Sequence, residues 1–149
     1  MSAAGTLRAD AERLISEVVG VIGMTPRESV ASQLIVEQES EDAIFFESRV
    51  DGLTDRIAIE KQVDTPAGAL HLMQVPERDD EDPGEFECIG FLSTGGGPVI
   101  VMDFAGNTET MVSWSTQLDR IACFRSDEAF HQWRTSLRAS TLIAPHWLP

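Results

Sequence analysis

The sequence predicts an α+β domain: a mainly antiparallel sheet of five to six strands with an N-terminal helix, a middle helix and a C-terminal helix. Three observations carry this reading. An apolar stripe at helical spacing opens the chain, short branched and aromatic runs separated by turn residues fill its centre, and a second helical stripe lies near its end. At 149 residues and 42% hydrophobic content, the chain has the size of one domain and enough apolar material for a core without staples. Residues 1–149 are therefore read as a single domain, with a mobile acidic loop at 76–85 and a short tail at 140–149.

The first helix is predicted over residues 7–22, where Leu7, Ala11, Leu14, Ile15, Val18 and Ile22 recur at spacings of three and four. Thr6 is placed to cap its start and Gly23 to end it. In "TPRE", Thr25 as N-cap, Pro26 in the first helical position and Glu28 reaching back predict a short helix over 26–33. "LIVEQES" and "AIFFESRV" then predict a hairpin turning at Glu41 and Asp42. Asp51 and Gly52 suit a tight turn, after which Ile57, Ile59 and Val63 alternate as the third strand of a meander.

"DTPAGALHLMQV" carries competing signals. Thr65 and Pro66 suit a helix start while Leu70 and Leu72 alternate as in a strand, and the helix reading, over 65–75, is preferred. "PERDDEDPGE" is a loop whose like charges keep it extended. "FECIGFL", "PVIVMDF" and "TETMVSW" predict three further strands, the last two joined by a tight turn at "AGN". A final helix starts near Ser126, sets Asp127 and Glu128 against its dipole, and turns Phe130, Trp133 and Leu137 inward. "STLIAPHWLP" does not continue it.

Eleven basic against 25 acidic side chains give a net charge of −14, which repels nucleic acid and anionic lipid and steers a basic protein inward. No run approaches the ~18 apolar residues of a membrane span. The first residues lack a signal-peptide pattern, so a soluble cytoplasmic protein is expected. Cys88 and Cys123 sit in apolar surroundings without metal-ligand spacing. They read as buried thiols in a reducing compartment, with a disulfide between them left open.

The glycines Gly95, Gly96 and Gly97 precede Pro98 and the apolar run "VIVM" rather than a helix with a lysine, so they read as a turn and not a phosphate cradle. The contiguous acids Asp79, Asp80, Glu81, Asp82 and Glu85 lack the alternation of a calcium loop. His71, His131 and His146 stand in separate elements, and no GxSxG elbow accompanies any serine. No catalytic residue, cofactor site or metal site is assigned. The runs Leu34-Ile35-Val36, Ile44-Phe45-Phe46 and Val99-Ile100-Val101-Met102 are apolar on both faces of their strands. Two readings stay open: helices cover both faces, or one face is kept for a partner chain.

With these elements in order, "LISEVVGVIGM", "TGGGPVIVMDFAGNTETMVSW" and "DEAFHQWRTSL" resemble the type III secretion chaperone family. The resemblance implies a non-enzymatic homodimer that holds the N-terminal segment of a secreted effector in extended form. Leu34, Val36, Ile44 and Phe46 would line its groove. The late segment "GGGPVIVMDFAGNTETMVSW" with "FRSDEAFHQWRTSL" also resembles the end of SUKH-type immunity proteins, which implies a protein that binds and neutralises a bacterial toxin. Both resemblances imply a protein-binding domain.

Overall fold

A computed structural model describes residues 3–24, 29–54, 56–75, 85–95, 97–110 and 113–137. Helix α1, Ala3–Ile22, buries Leu7, Ala11, Leu14, Ile15, Val18, Val19 and Ile22 along one side. Its other side carries the pairs Arg8 with Glu12 and Arg13 with Asp10, at 3.4 Å each. The hydrophobic stripe therefore faces the sheet and the charges face water, as a period of 3.6 demands. Gly23 ends the helix with a φ of 86°, the left-handed geometry that glycine takes without strain. Thr6 does not cap the start, because α1 begins three residues before it.

The end of α1 has a second stop that sequence reading missed. Thr54 donates its hydroxyl hydrogen to the Ile22 carbonyl at 2.6 Å, and the Arg56 guanidinium donates to the Val21 carbonyl at 2.7 Å. Two of the carbonyls that a helix leaves unpaired are thereby satisfied, and a cation sits at the negative end of the dipole. Arg56 also forks onto both carboxylate oxygens of Glu60, at 3.0 and 3.2 Å.

Seven strands follow: β1 Leu34–Glu39, β2 Ala43–Leu53, β3 Gln62–Thr65, β4 Gly68–Val75, β5 Glu85–Ser93, β6 Val99–Thr110 and β7 Ser113–Phe124. They form one antiparallel sheet in the order β1-β2-β7-β6-β5-β4-β3. A 3-10 turn, Val30–Gln33, leads into β1, and a single helical turn α2, Arg56–Ile59, links β2 to β3. Helix α3, Asp127–Leu137, closes the fold. No helix of the described residues is long and apolar enough to cross a membrane.

Several sequence expectations give way here: the sheet has seven strands and not five to six, Ile57 and Ile59 belong to the helical turn α2 and not to a third strand, and "TETMVSW" is divided between the end of β6 at Thr110 and the start of β7 at Ser113. The meander is absent, because β2 has β1 and β7 as neighbours while β3 pairs with β4. Asp51 and Gly52 do not turn; they lie within β2 opposite Gln117 and Thr116. "AGN" does not turn either, since Ala105, Gly106 and Asn107 pair with Gln117, Thr116 and Ser115, and β6 runs on to Thr110. In both places a neighbouring strand satisfies the backbone, which outweighs a local turn preference. The preferred helix over 65–75 is a hairpin: Thr65 accepts the Ala67 amide on its hydroxyl at 3.2 Å and donates to the Gly68 carbonyl at 2.7 Å. The same hydroxyl-to-amide bond serves a helix cap and a tight turn, and Gly68, at a φ of 141°, takes the turn.

The segment "QLDRIACF", unassigned from sequence, forms the second half of β7 at the middle of the sheet. Residues 25–28 of the "TPRE" helix start, residues 76–84 of the acidic loop and the tail at 140–149 lie outside the described residues. Glu85 opens β5.

Each face of the sheet has its own core. On the inner face α1 covers Ile44, Phe46, Val50, Leu70, Leu92, Ile100, Met102, Phe104 and Leu118. Gly90 makes room there, because a Cβ on it would stand 3.0 Å from the Phe104 ring and 3.1 Å from a Leu70 methyl. On the outer face α3 sets Phe130 and Trp133 on Phe124, at ring separations of 5.4 and 4.9 Å, with Ile89, Val99, Val101 and Ala122 around them. The Ala129 amide donates to the Ser126 hydroxyl at 3.1 Å, so the expected start of α3 is capped there.

Candidate partner-binding edge

The four residues expected to line a groove lie together, but under α1. Leu34 is 7% exposed, Ile44 0% and Phe46 1%, all within the inner core, and Val36 is half-buried against it. The register sets Val36 opposite Phe46 and Leu34 opposite Ser48. With α1 seated, the chain itself fills the groove. A three-residue apolar run cannot say which of its faces is covered, and the accessible side chain is the one between: Ile35, on the outer face, is 40% exposed.

β1 is a terminal strand of the sheet, and among the described residues its outer edge pairs with no other strand. An edge of this kind presents unpaired backbone amides and carbonyls. Its pairing to β2 shifts between Val36 and Gln38, which makes Glu37 a bulged residue. Before the bulge the edge is apolar. After it come Gln38 and Glu39, then Glu41 and Asp42 at the hairpin tip, all exposed. Residues 34–53 hold six acids and one arginine, so the hairpin carries a surplus of five negative charges, part of the chain's −14.

Local bonds hold this edge in shape. Ser40 donates its amide to the Ala43 carbonyl at 2.8 Å, and the Ala43 amide donates back to the Ser40 hydroxyl at 3.2 Å. Arg125 clamps the tip to the start of α3: its guanidinium meets Asp42 at 2.6 Å and its amide donates to the Asp42 carbonyl at 2.9 Å. Arg120 of β7 stands 4.0 Å from Glu37, a distant and exposed pair worth little, and with Arg49 and Arg125 it sets three arginines against the hairpin's six acids. The opposite edge, β3, differs. It has four residues, and its side chains alternate between buried Val63 and exposed Gln62 and Asp64.

The remaining candidates resolve into structural roles. Gly95, at a φ of 72°, turns the chain between β5 and β6, where Thr94 donates its amide and hydroxyl to the Pro98 carbonyl at 3.3 and 3.0 Å. A Cβ on Gly97 would stand 2.6 Å from the Thr94 hydroxyl, so the turn needs glycine there for closeness. The loop hands over to a strand, as the turn reading expects.

Cys88 and Cys123 are free thiols, fully buried on the inner face. Burial pushes the Cys88 thiol up to about 11, with the Asp103 charge adding to it against a backbone hydrogen bond at Met73. Burial pushes Cys123 up to about 12, with Asp10 of α1 adding to it. Such thiols are poor nucleophiles and poor metal ligands. His71 and His131 are exposed, and no group of three histidine, cysteine or carboxylate side chains among the described residues is placed to hold a metal ion. No family model, curated protein or solved structure matches the chain.

Proposed function

We propose that this protein is a non-enzymatic binding domain that holds an extended segment of another protein against the open edge of β1. The reading is that of a secretion chaperone keeping an effector's N-terminal segment extended in the cytoplasm, with strand addition at the edge in place of a groove under α1. One observation carries it: a six-residue terminal strand with an exposed isoleucine and a surplus of negative charge, on a sheet whose two cores are covered by α1 and α3 and whose other exposed large apolar side chain among the described residues is Met73 of β4, an inner strand. Strand addition uses such an edge, with backbone hydrogen bonds supplying affinity and flanking side chains supplying selectivity. Homodimerisation, which the chaperone resemblance implies, belongs to the same proposal.

The net charge of −14 favours a second reading, an immunity protein that covers a basic toxin surface, because complementary charge accelerates association and rejects acidic partners. The chaperone reading puts the contact on the edge of β1, and the immunity reading puts it on the acidic loop at 76–85 together with the charged edge of the sheet.

The test is a photo-crosslinking amino acid at position 35, with a control at Ser16 on the exposed side of α1, followed by purification from the native cell and mass spectrometry. One dominant protein adduct from position 35, missing from position 16, is expected. Its gene context separates effector from toxin. Equal adducts at both positions, or none at 35, would defeat the proposal.

A further inference from the structure

The edge of β1 is divided along its length, and the division implies a direction and a chemistry for the strand that joins it. Leu34, Ile35 and Val36 form an apolar half; Glu37, Gln38, Glu39, Glu41 and Asp42 form an acidic half, with the bulge as the boundary. Resting on the strand-addition reading above, we infer that the captured segment is basic in its first half and apolar in its second. An antiparallel ladder, the more stable of the two pairings, sets the N-terminal end of the added strand against Glu39 and the hairpin tip, and its C-terminal end against Ile35 and Val36. Lysine or arginine in the first positions meets the acids, and branched aliphatic residues in the later ones cover Ile35.

A second copy of the chain is the poorer occupant. Two β1 strands centred on the acidic half oppose Glu37 and Glu39 with their own counterparts, and like charges directly across a ladder are destabilising. Arg49 stands on the neighbouring strand β2, and the next cations, Arg120 and Arg125, each already face an acid, Glu37 and Asp42. The surplus acids are what a basic segment would answer.

The test uses two synthetic peptides of one composition, three arginines then three valines, and the same residues in reverse order, titrated by fluorescence anisotropy into the full-length chain. The basic-first peptide is expected to bind about tenfold more tightly than its reverse, since each misplaced charge pair forfeits a cross-strand contact. Its affinity falls as salt is raised, and methylation of alternate peptide nitrogens abolishes binding. The double variant Glu37→Lys, Glu39→Lys loses the preference while its circular dichroism melt stays with the parent's; both side chains are exposed. Equal binding of the two orders overturns the inference and leaves strand addition standing. Binding of neither overturns it as well, and crosslinks at position 35 then decide whether the edge takes a segment of other chemistry. A stable dimer that shields Ile35 would show the second copy to be the occupant and overturn it too.

Discussion

Raising the pH from 7 to 10 will destabilise this protein through two thiols. Cys88 moves from an ordinary 9.0 to about 11 on folding, and Cys123 from 9.0 to about 12. A group whose folded pKa is raised contributes its full stability below the unfolded value and loses it as pH rises toward the folded one. Between pH 9 and about 11 the unfolded chain releases thiol protons that the folded chain keeps, so stability falls with pH. At pH 10 the loss is about 1.4 kcal/mol for each thiol and about 2.8 kcal/mol for the pair. For a domain of this size that lowers the melting temperature by roughly 6–11 °C.

The composition makes the measurement clean. The chain has no tyrosine and a single lysine, Lys61, which is exposed and can be changed to arginine in both proteins compared. Urea unfolding followed by tryptophan fluorescence at pH 7, 8, 9 and 10 under reducing conditions gives the slope. The double variant Cys88→Ala, Cys123→Ala is less stable at pH 7, because each truncation leaves a small void, but nearly flat to pH 10. Equal slopes in parent and variant would refute the reasoning, since they would mean that the thiols ionise as readily folded as unfolded.

Changing Gly90→Val forces a branched side chain against Phe104 and Leu70 and costs about 1–3 kcal/mol by overpacking, read from urea midpoints. Thr54→Val removes the hydroxyl donor to the Ile22 carbonyl while keeping its shape, and costs about 1–2 kcal/mol, with hydrogen exchange rising first in the last turn of α1. Phe130→Ala takes the central ring out of the α3 cluster and costs about 3–5 kcal/mol, with near-ultraviolet dichroism collapsing before the far-ultraviolet signal. Light scattering is expected to return a dimer for the chaperone reading, and a persistent monomer would favour the immunity reading.

Both terminal helices and the first hairpin were legible in the sequence, because their signals are local. Six apolar positions on one side of α1, the polar Glu41-Asp42 turn and the Ser126 cap each act within a few residues. The centre was harder to read. Asp51-Gly52 and Ala105-Gly106-Asn107 look like turns by composition, yet they pair with opposite sides of the same stretch of β7, Ser115 to Gln117. That pairing is long-range and leaves no local trace. Thr65 was misread because one hydroxyl bond serves two motifs. At the edge, the residue types were visible and their faces were not: Leu34, Ile35 and Val36 are equally apolar, and only the seat of α1 decides that Leu34 is core and Ile35 is surface.

Amide hydrogen exchange of the full-length chain, alone and saturated with the basic-first peptide, tests the edge most directly. Slowed exchange confined to β1 amides, with β3 and the exposed side of α1 unchanged, is the predicted pattern. Protection centred on α1 or β3, or α1 opening to admit the peptide beside Ile44 and Phe46, would contradict it.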